Sequence, residues 1–207
     1  IYTCKNSAIM CCHGNYNGLL TRNAGGHGGA IVSDCDFCTL DSCVFVGNGD
    51  PTEQDGQGAC IYGGYNCLVK NCFVSRNLNG GISLFHDQFC RNVVGCVVTN
   101  CVAVNDTVSI SMVGTILDCY IYNNDFYTES FNGKYHKTFD VSMFEERRVY
   151  IWHNKFQAEG GAVLLEAVPG LKGVDKLDLN DWISETPTFL LKDRLFEDIY
   201  AALEFEQ

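Results

Sequence analysis

An eleven-residue phrase that recurs along the chain limits its fold more than any other feature. "CTLDSCVFVGN" at 38–48 returns as "CLVKNCFVSRN" at 67–77. Related phrases end at Asn100 ("CRNVVGCVVTN") and at Asn123 or Asn124 ("GTILDCYIYNN"), with shorter echoes ending at Asn23 ("GLLTRN") and Asn154 ("VYIWHN"). A second motif follows each asparagine: "GGAIV" at 28–32, "GACIY" at 58–62, "GGISLF" at 80–85, "VSISM" at 108–112 and "GGAVLL" at 160–165. Each unit holds two or three short runs of Val, Ile, Phe, Tyr and Cys between Gly and Asn, which is the pattern of strands and turns. Helical i, i+3, i+4 spacing is absent before the tail. A repeat of roughly 20–30 residues without a helix signals a solenoid.

One such unit cannot bury its own apolar side chains, whereas stacked units bury them between coils while each strand pairs with its equivalent at about 4.8 Å. Equivalent residues then form columns. Asparagine at the phrase end suits a left-handed corner, and Gly-Gly suits the tight turn after it. The alignment predicts Cys43, Cys72, Cys96 and Cys119 in one inward column and Cys38, Cys67 and Cys90 in another. For the thirteen cysteines three readings stand open: a buried stack of small apolar thiols, disulfide rungs, or a metal site. No C-x-x-C occurs, and a ladder does not converge as a tetrahedral site does. Cys11 and Cys12 would point to opposite faces of a strand.

The pattern C-x-F/V-x-x-N followed by G-G-A/S-I resembles the right-handed parallel β-helix of the pectin-lyase-like superfamily, most closely its surface and passenger-type domains. The resemblance covers residues 1–168 and implies an all-β solenoid of about 5–7 coils; it is nearly silent on activity, because the matching residues are structural. Residues 169–207 form a separate capping or docking segment. There, Leu195, Phe196, Ile199, Tyr200 and Leu203 share one helical face, which predicts an amphipathic helix over 190–205.

Three departures from the minimal coil are candidate sites. The acidic turn 47–58 carries Asp50, Glu53 and Asp55, oxygen donors suited to calcium; no other cofactor is expected. Asp34 and Asp36, two apart, with His86 and Asp87 are the raw material of glycosidase or lyase chemistry. Lyases of the resembled fold also need a Lys or Arg base, for which Lys70 and Arg76 are nearest in register. Gly-His-Gly around His27 matches one polygalacturonase motif, but the accompanying Asn-Thr-Asp, Asp-Asp and Arg-Ile-Lys are missing. The third departure, 124–148, breaks the period and offers Tyr127, Phe131, Tyr135, His136 and Lys137 as a sugar-stacking platform.

A formal charge of −11 disfavours a nucleic-acid partner, and no apolar run is long enough to span a membrane. The expected partners are a carbohydrate or another protein. The expected setting is extracellular, cell-surface or virion-associated, as part of a longer chain or a homo-oligomer. Two functions compete with a non-catalytic scaffold or glycan-attachment module: a polysaccharide lyase or glycoside hydrolase, and a structural subunit of a larger assembly.

Overall fold

The computed structural model describes residues 3–15, 30–49, 57–78, 80–86, 88, 90–130, 136–142, 146–168 and 170–206. The chain winds into a parallel β-solenoid of about five turns. Face I stacks Ala8–Met10, Thr39–Asp41, Leu68–Lys70, Val97–Thr99, Ile116–Tyr122, Arg147–Trp152 and Val174–Asp175. Face II stacks Val44–Val46, Phe73–Ser75, Val102–Val104, Asp125–Glu129, Lys155–Glu159 and Asp181–Ile183. Face III stacks Ala30–Asp36, Gln57–Tyr65, Gly80–Phe85, Val108–Val113, Lys137–Ser142, Val163–Ala167 and Phe189–Leu191. Short strands face each other because each coil must turn before it can bury a longer run. The second motif of the sequence is the face III strand. Residues 124–148, expected to break the period, contribute regular strands to faces II and III.

The register corrects the third phrase. Leu68 pairs with Val97, and Val97 with Tyr120, so Cys38, Cys67, Cys96 and Cys119 form one column. Phe73 pairs with Val102, so Cys43, Cys72 and Cys101 form the other, and Cys90 stands outside both. The true repeat is "CVVTNCVAVND" at 96–106, not the phrase beginning at Cys90. Cys90 and Cys96 lie six apart, whereas Cys38/Cys43, Cys67/Cys72 and Cys96/Cys101 all lie five apart.

The second column shows why cysteine sits there. Its C-terminal members are Asn124, Asn154 and Asn180. Cys72 Sγ and Cys101 Sγ point at the carbonyls of Leu40 and Val69, each at 3.8 Å. Asn124, Asn154 and Asn180 donate Nδ2 to the carbonyls of Val98, Ile121 and Ile151 at 3.2, 2.9 and 2.9 Å. These five carbonyls are equivalent positions one coil back. A thiol and an amide thus do one job, a weak donor giving way to a strong one along the stack.

Three of the asparagines at the phrase ends are not the left-handed residues. Asn48, Asn77 and Asn154 are buried, and the positive φ falls on the residue before each: Gly47, Arg76 and His153. Asn48 Nδ2 donates to Asn77 Oδ1 at 2.8 Å, and Asn77 Nδ2 to Asp106 Oδ1 at 2.8 Å. The phrase ends Asn100 and Asn123 are left-handed as expected, and so are Asn66 and Asn71 at other corners, where the short polar side chain lowers the cost.

None of the thirteen cysteines is disulfide-bonded; nine are buried, Cys4 and Cys90 are half-buried, and Cys11 and Cys12 are exposed. Cys11 takes a left-handed turn rather than a strand position. Burial pushes the Cys35 thiol up to about 11, and a bond to the Cys119 sulfur, ahead of burial, pushes Cys96 up to about 12. Thiolate is the reactive form. Ellman reagent is therefore expected to react with Cys11 and Cys12 in the native protein and with the nine buried thiols only on unfolding. Rapid reaction of the buried set in native protein would contradict the columns, and thiols missing after unfolding without reductant would reveal disulfides.

Parallel pairing continues beyond residue 168 to Leu191. Arg194–Phe196 then turns back antiparallel along Phe189–Leu191, which ends the parallel stack. The helix is Ile199–Glu206, shorter than the sequence predicts, because Leu195 belongs to the hairpin. Ile199 and Ala202 are buried against the last coil, while Leu195 and Tyr200 face solvent.

Candidate functional site

Polar side chains converge on the outward side of face III. Strand alternation slips at the corner from face II: Thr138 and Phe139 both turn inward and are buried, so Lys137 and Asp140 both face out. Lys137 Nζ lies 2.8 Å from Glu166 Oε1 and 3.3 Å from Asp140 Oδ1, with all three side chains largely shielded. One coil back, Ser111 pairs in register with Asp140, and its Oγ lies 2.8 Å from Ser83 Oγ. Tyr62 and Phe85 stack at 5.1 Å, two residues along from Cys60 and Ser83. The result is a strip with an aromatic step, a buried serine pair and a Lys–Asp–Glu cluster. Burial alone would lower the Lys137 ammonium, but its bond to Glu166 and the charge of Asp140 outweigh this and hold it above its usual range. Lys137 is thus a fixed cation, suited to donating hydrogen bonds to ligand oxygens rather than to taking up protons near neutral pH.

Asp34 and Asp36 do come together, through Arg91. Arg91 Nη1 lies 2.8 Å from Asp36 Oδ1, and the Arg91 amide donates to Asp34 Oδ1 at 2.9 Å. Lys5 Nζ adds a contact to Asp36 Oδ2 at 3.3 Å. Burial alone would raise the Asp36 carboxyl, but Arg91 and Lys5 hold it below the usual range. His86 accepts the Thr115 amide on Nδ1 at 2.9 Å; no hydrogen bond among the described residues joins it to either aspartate. Asp87 lies outside the described residues. Lys70 pairs with Asp41 on face I at 3.1 Å, and Arg76 occupies a left-handed corner.

The predicted aromatic platform does not assemble from its described members. Tyr127 lies on face II and donates its hydroxyl to Glu159 Oε2 at 3.1 Å. His136 is buried at the corner with Nδ1 3.0 Å from the Glu129 carbonyl, and Lys137 belongs to face III. Phe131 and Tyr135 lie outside the described residues, as do His27 and the acidic turn of Asp50, Glu53 and Asp55. Among the described residues no group of three or more His, Cys, Asp or Glu is arranged to hold a metal.

Sequence reasoning missed Arg91, Ser83, Ser111, Asp140 and Glu166. It also missed two aromatic columns on face I: Tyr120 over Tyr150 at 5.4 Å and Tyr122 over Trp152 at 4.8 Å, with Lys176 above Trp152 at 5.1 Å. The repeated "YIY" at 120–122 and "YIW" at 150–152 was the available signal. These rings spend their faces on one another, which stiffens face I and leaves mainly edges to solvent.

Comparison with protein-family models, with curated proteins and with solved structures gives no match. Among the described residues no helix is long and apolar enough to cross a membrane.

Proposed function

We propose that this chain is a non-catalytic, rigid β-solenoid module of a surface, secreted or virion protein that engages a neutral glycan along the face III strip. One observation carries the reading. The ion pairs along the solenoid body join one coil to another: Lys5–Asp36, Lys70–Asp41, Lys137–Glu166 and Arg148–Asp118 link neighbouring coils, and Arg91–Asp34 links coils two apart. Carboxylates used as clasps in this way are not poised for general acid or base work, while the fixed ammonium of Lys137 suits sugar hydroxyls. The resemblance to pectin-lyase-like surface domains agrees with this reading.

A second reading, a polysaccharide lyase or hydrolase, draws on Lys137 held between two carboxylates on a flat sheet. A panel of neutral and acidic polysaccharides, with and without calcium, separates the two. The scaffold reading expects binding without new reducing ends or unsaturated products, weakened about tenfold by Ser111→Ala with Lys137→Met. Product formation lost in Lys137→Met would establish the enzyme instead, and binding unchanged in the double variant would move the site off face III.

A further inference from the structure

The C-terminal tip departs from the electrostatic rule of the body. Residues 168–207 hold nine acids against four bases. Asp175, Asp178, Asp181, Glu197 and Glu204 make no ion pair with a described residue, in contrast to Asp34, Asp36, Asp41, Asp118 and Glu166. Two open clefts, of about 560 and 410 Å³, lie against the helix Ile199–Glu206: the first sets Asp175, Asp178 and Glu204 beside Lys172 and Lys176, while the second is lined by Asp178, Asp181, Glu197 and Asp198 with no base and is the acidic one. Tyr200 lines both clefts and is 59% exposed. Ile183 and Trp182 line the second, and Ile183 is exposed.

We propose that this tip is a docking surface for a basic polypeptide segment carrying an apolar or aromatic anchor. Both halves of the argument come from the surface itself. Apolar side chains left in solvent around a cleft mark an interaction site, and a rim of unpaired carboxylates selects lysine or arginine on the partner while repelling acidic chains, including a second copy of this one. The helix supports the surface and does not need to move, since Ile199 and Ala202 are packed into the last coil. Asp198 also fixes its first turn by accepting the Tyr200 amide at 2.6 Å.

Three twelve-residue probes test the proposal by fluorescence anisotropy on the full chain: a Lys/Leu/Trp peptide, the same peptide with Glu in place of Lys, and oligolysine. The Lys/Leu/Trp peptide is expected to bind, the Glu peptide not to bind, and oligolysine to bind more weakly. Tyr200→Ala should weaken the Lys/Leu/Trp peptide about tenfold and leave oligolysine unchanged. Asp181→Asn with Glu197→Gln should weaken both basic probes. Asp125→Asn with Glu129→Gln, an equal loss of charge on face II, should weaken neither. Equal weakening by the tip and face II variants would reduce the effect to attraction by the overall charge and overturn the proposal. So would absence of binding by the Lys/Leu/Trp peptide, or binding indifferent to Tyr200→Ala. All these side chains are exposed, and matched melting temperatures would confirm that the variants fold.

Discussion

Asp106→Asn is expected to raise the melting temperature by roughly 10 °C at pH 9 and to flatten its dependence on pH. Asp106 ends the column Asn48–Asn77–Asp106 and is fully buried. Its Oδ1 accepts the Asn77 amide at 2.6 Å and Asn77 Nδ2 at 2.8 Å, but Oδ2 has no hydrogen-bond partner. In Asn77 the corresponding atom is Nδ2, which donates to the Phe45 carbonyl at 3.2 Å. The equivalent carbonyl for Asp106 is that of Val74, so this position calls for a donor that an ionised carboxylate lacks. Burial accordingly pushes the acid up to about 8, against the opposing bonds from Asn77, and no charged neighbour contributes. The unfolded chain releases this proton near about pH 4. Between those limits the folded state holds more protons than the unfolded one, so stability falls as pH rises. The contribution is complete below about pH 4 and lost above about pH 8, and it totals on the order of 5 kcal/mol. Asparagine supplies the missing donor at every pH. Melting curves from pH 4 to 9 check this; parallel profiles for parent and variant would mean that Asp106 does not titrate in that window.

The second large effect separates two residues of one column. Asn154→Ala is expected to cost about 3–5 kcal/mol and Cys72→Ala about 1 kcal/mol. Asn154 Oδ1 accepts the Asn124 amide and Asn124 Nδ2 at 3.0 and 2.9 Å, and its Nδ2 serves Ile121, Trp152 and Asn180. Alanine would orphan several buried groups at once. Cys72 donates from sulfur to Lys70 at 3.2 Å and to Leu40 at 3.8 Å, so its loss leaves a small cavity and two weakly served carbonyls. Urea denaturation of both variants gives the difference directly, and equal losses would remove the distinction between rung types. Cys72→Asp should be far worse than Cys72→Ala, because it buries an unpaired carboxylate.

The solenoid was legible because stacking forces equivalent residues into columns, and columns of Cys, Asn and Gly survive as a written period. Register was harder. Cys90 imitates a phrase start, and only the six-residue gap to Cys96 exposes it. Asparagine misled for a physical reason: it is favoured both as a left-handed corner, the role of Asn100, and as a buried rung, the role of Asn77. The clasps of the candidate site were illegible, since Arg91 meets Asp34 across 57 positions of sequence. The outward placement of both Lys137 and Asp140 depends on a slip in alternation that no period predicts. In the tail, Leu195 fits a helical stripe by spacing, yet it lies in the closing hairpin.

The central claim is that the chain is a stack of interchangeable coils in the register Cys38, Cys67, Cys96. Deleting residues 67–95 removes one full coil of 29 residues and joins Asn66 to Cys96, matching left-handed corner to left-handed corner, since Asn66 and Gly95 both have positive φ. Deleting 67–89 joins Asn66 to Cys90 and leaves six surplus residues before Cys96. Thermal unfolding followed by circular dichroism decides between them. The account predicts that the 67–95 deletion keeps its β signal and melts cooperatively somewhat below the parent, while the 67–89 deletion melts lower and more broadly. A 67–89 deletion as stable as its counterpart, or a 67–95 deletion that fails to fold, would contradict the stack.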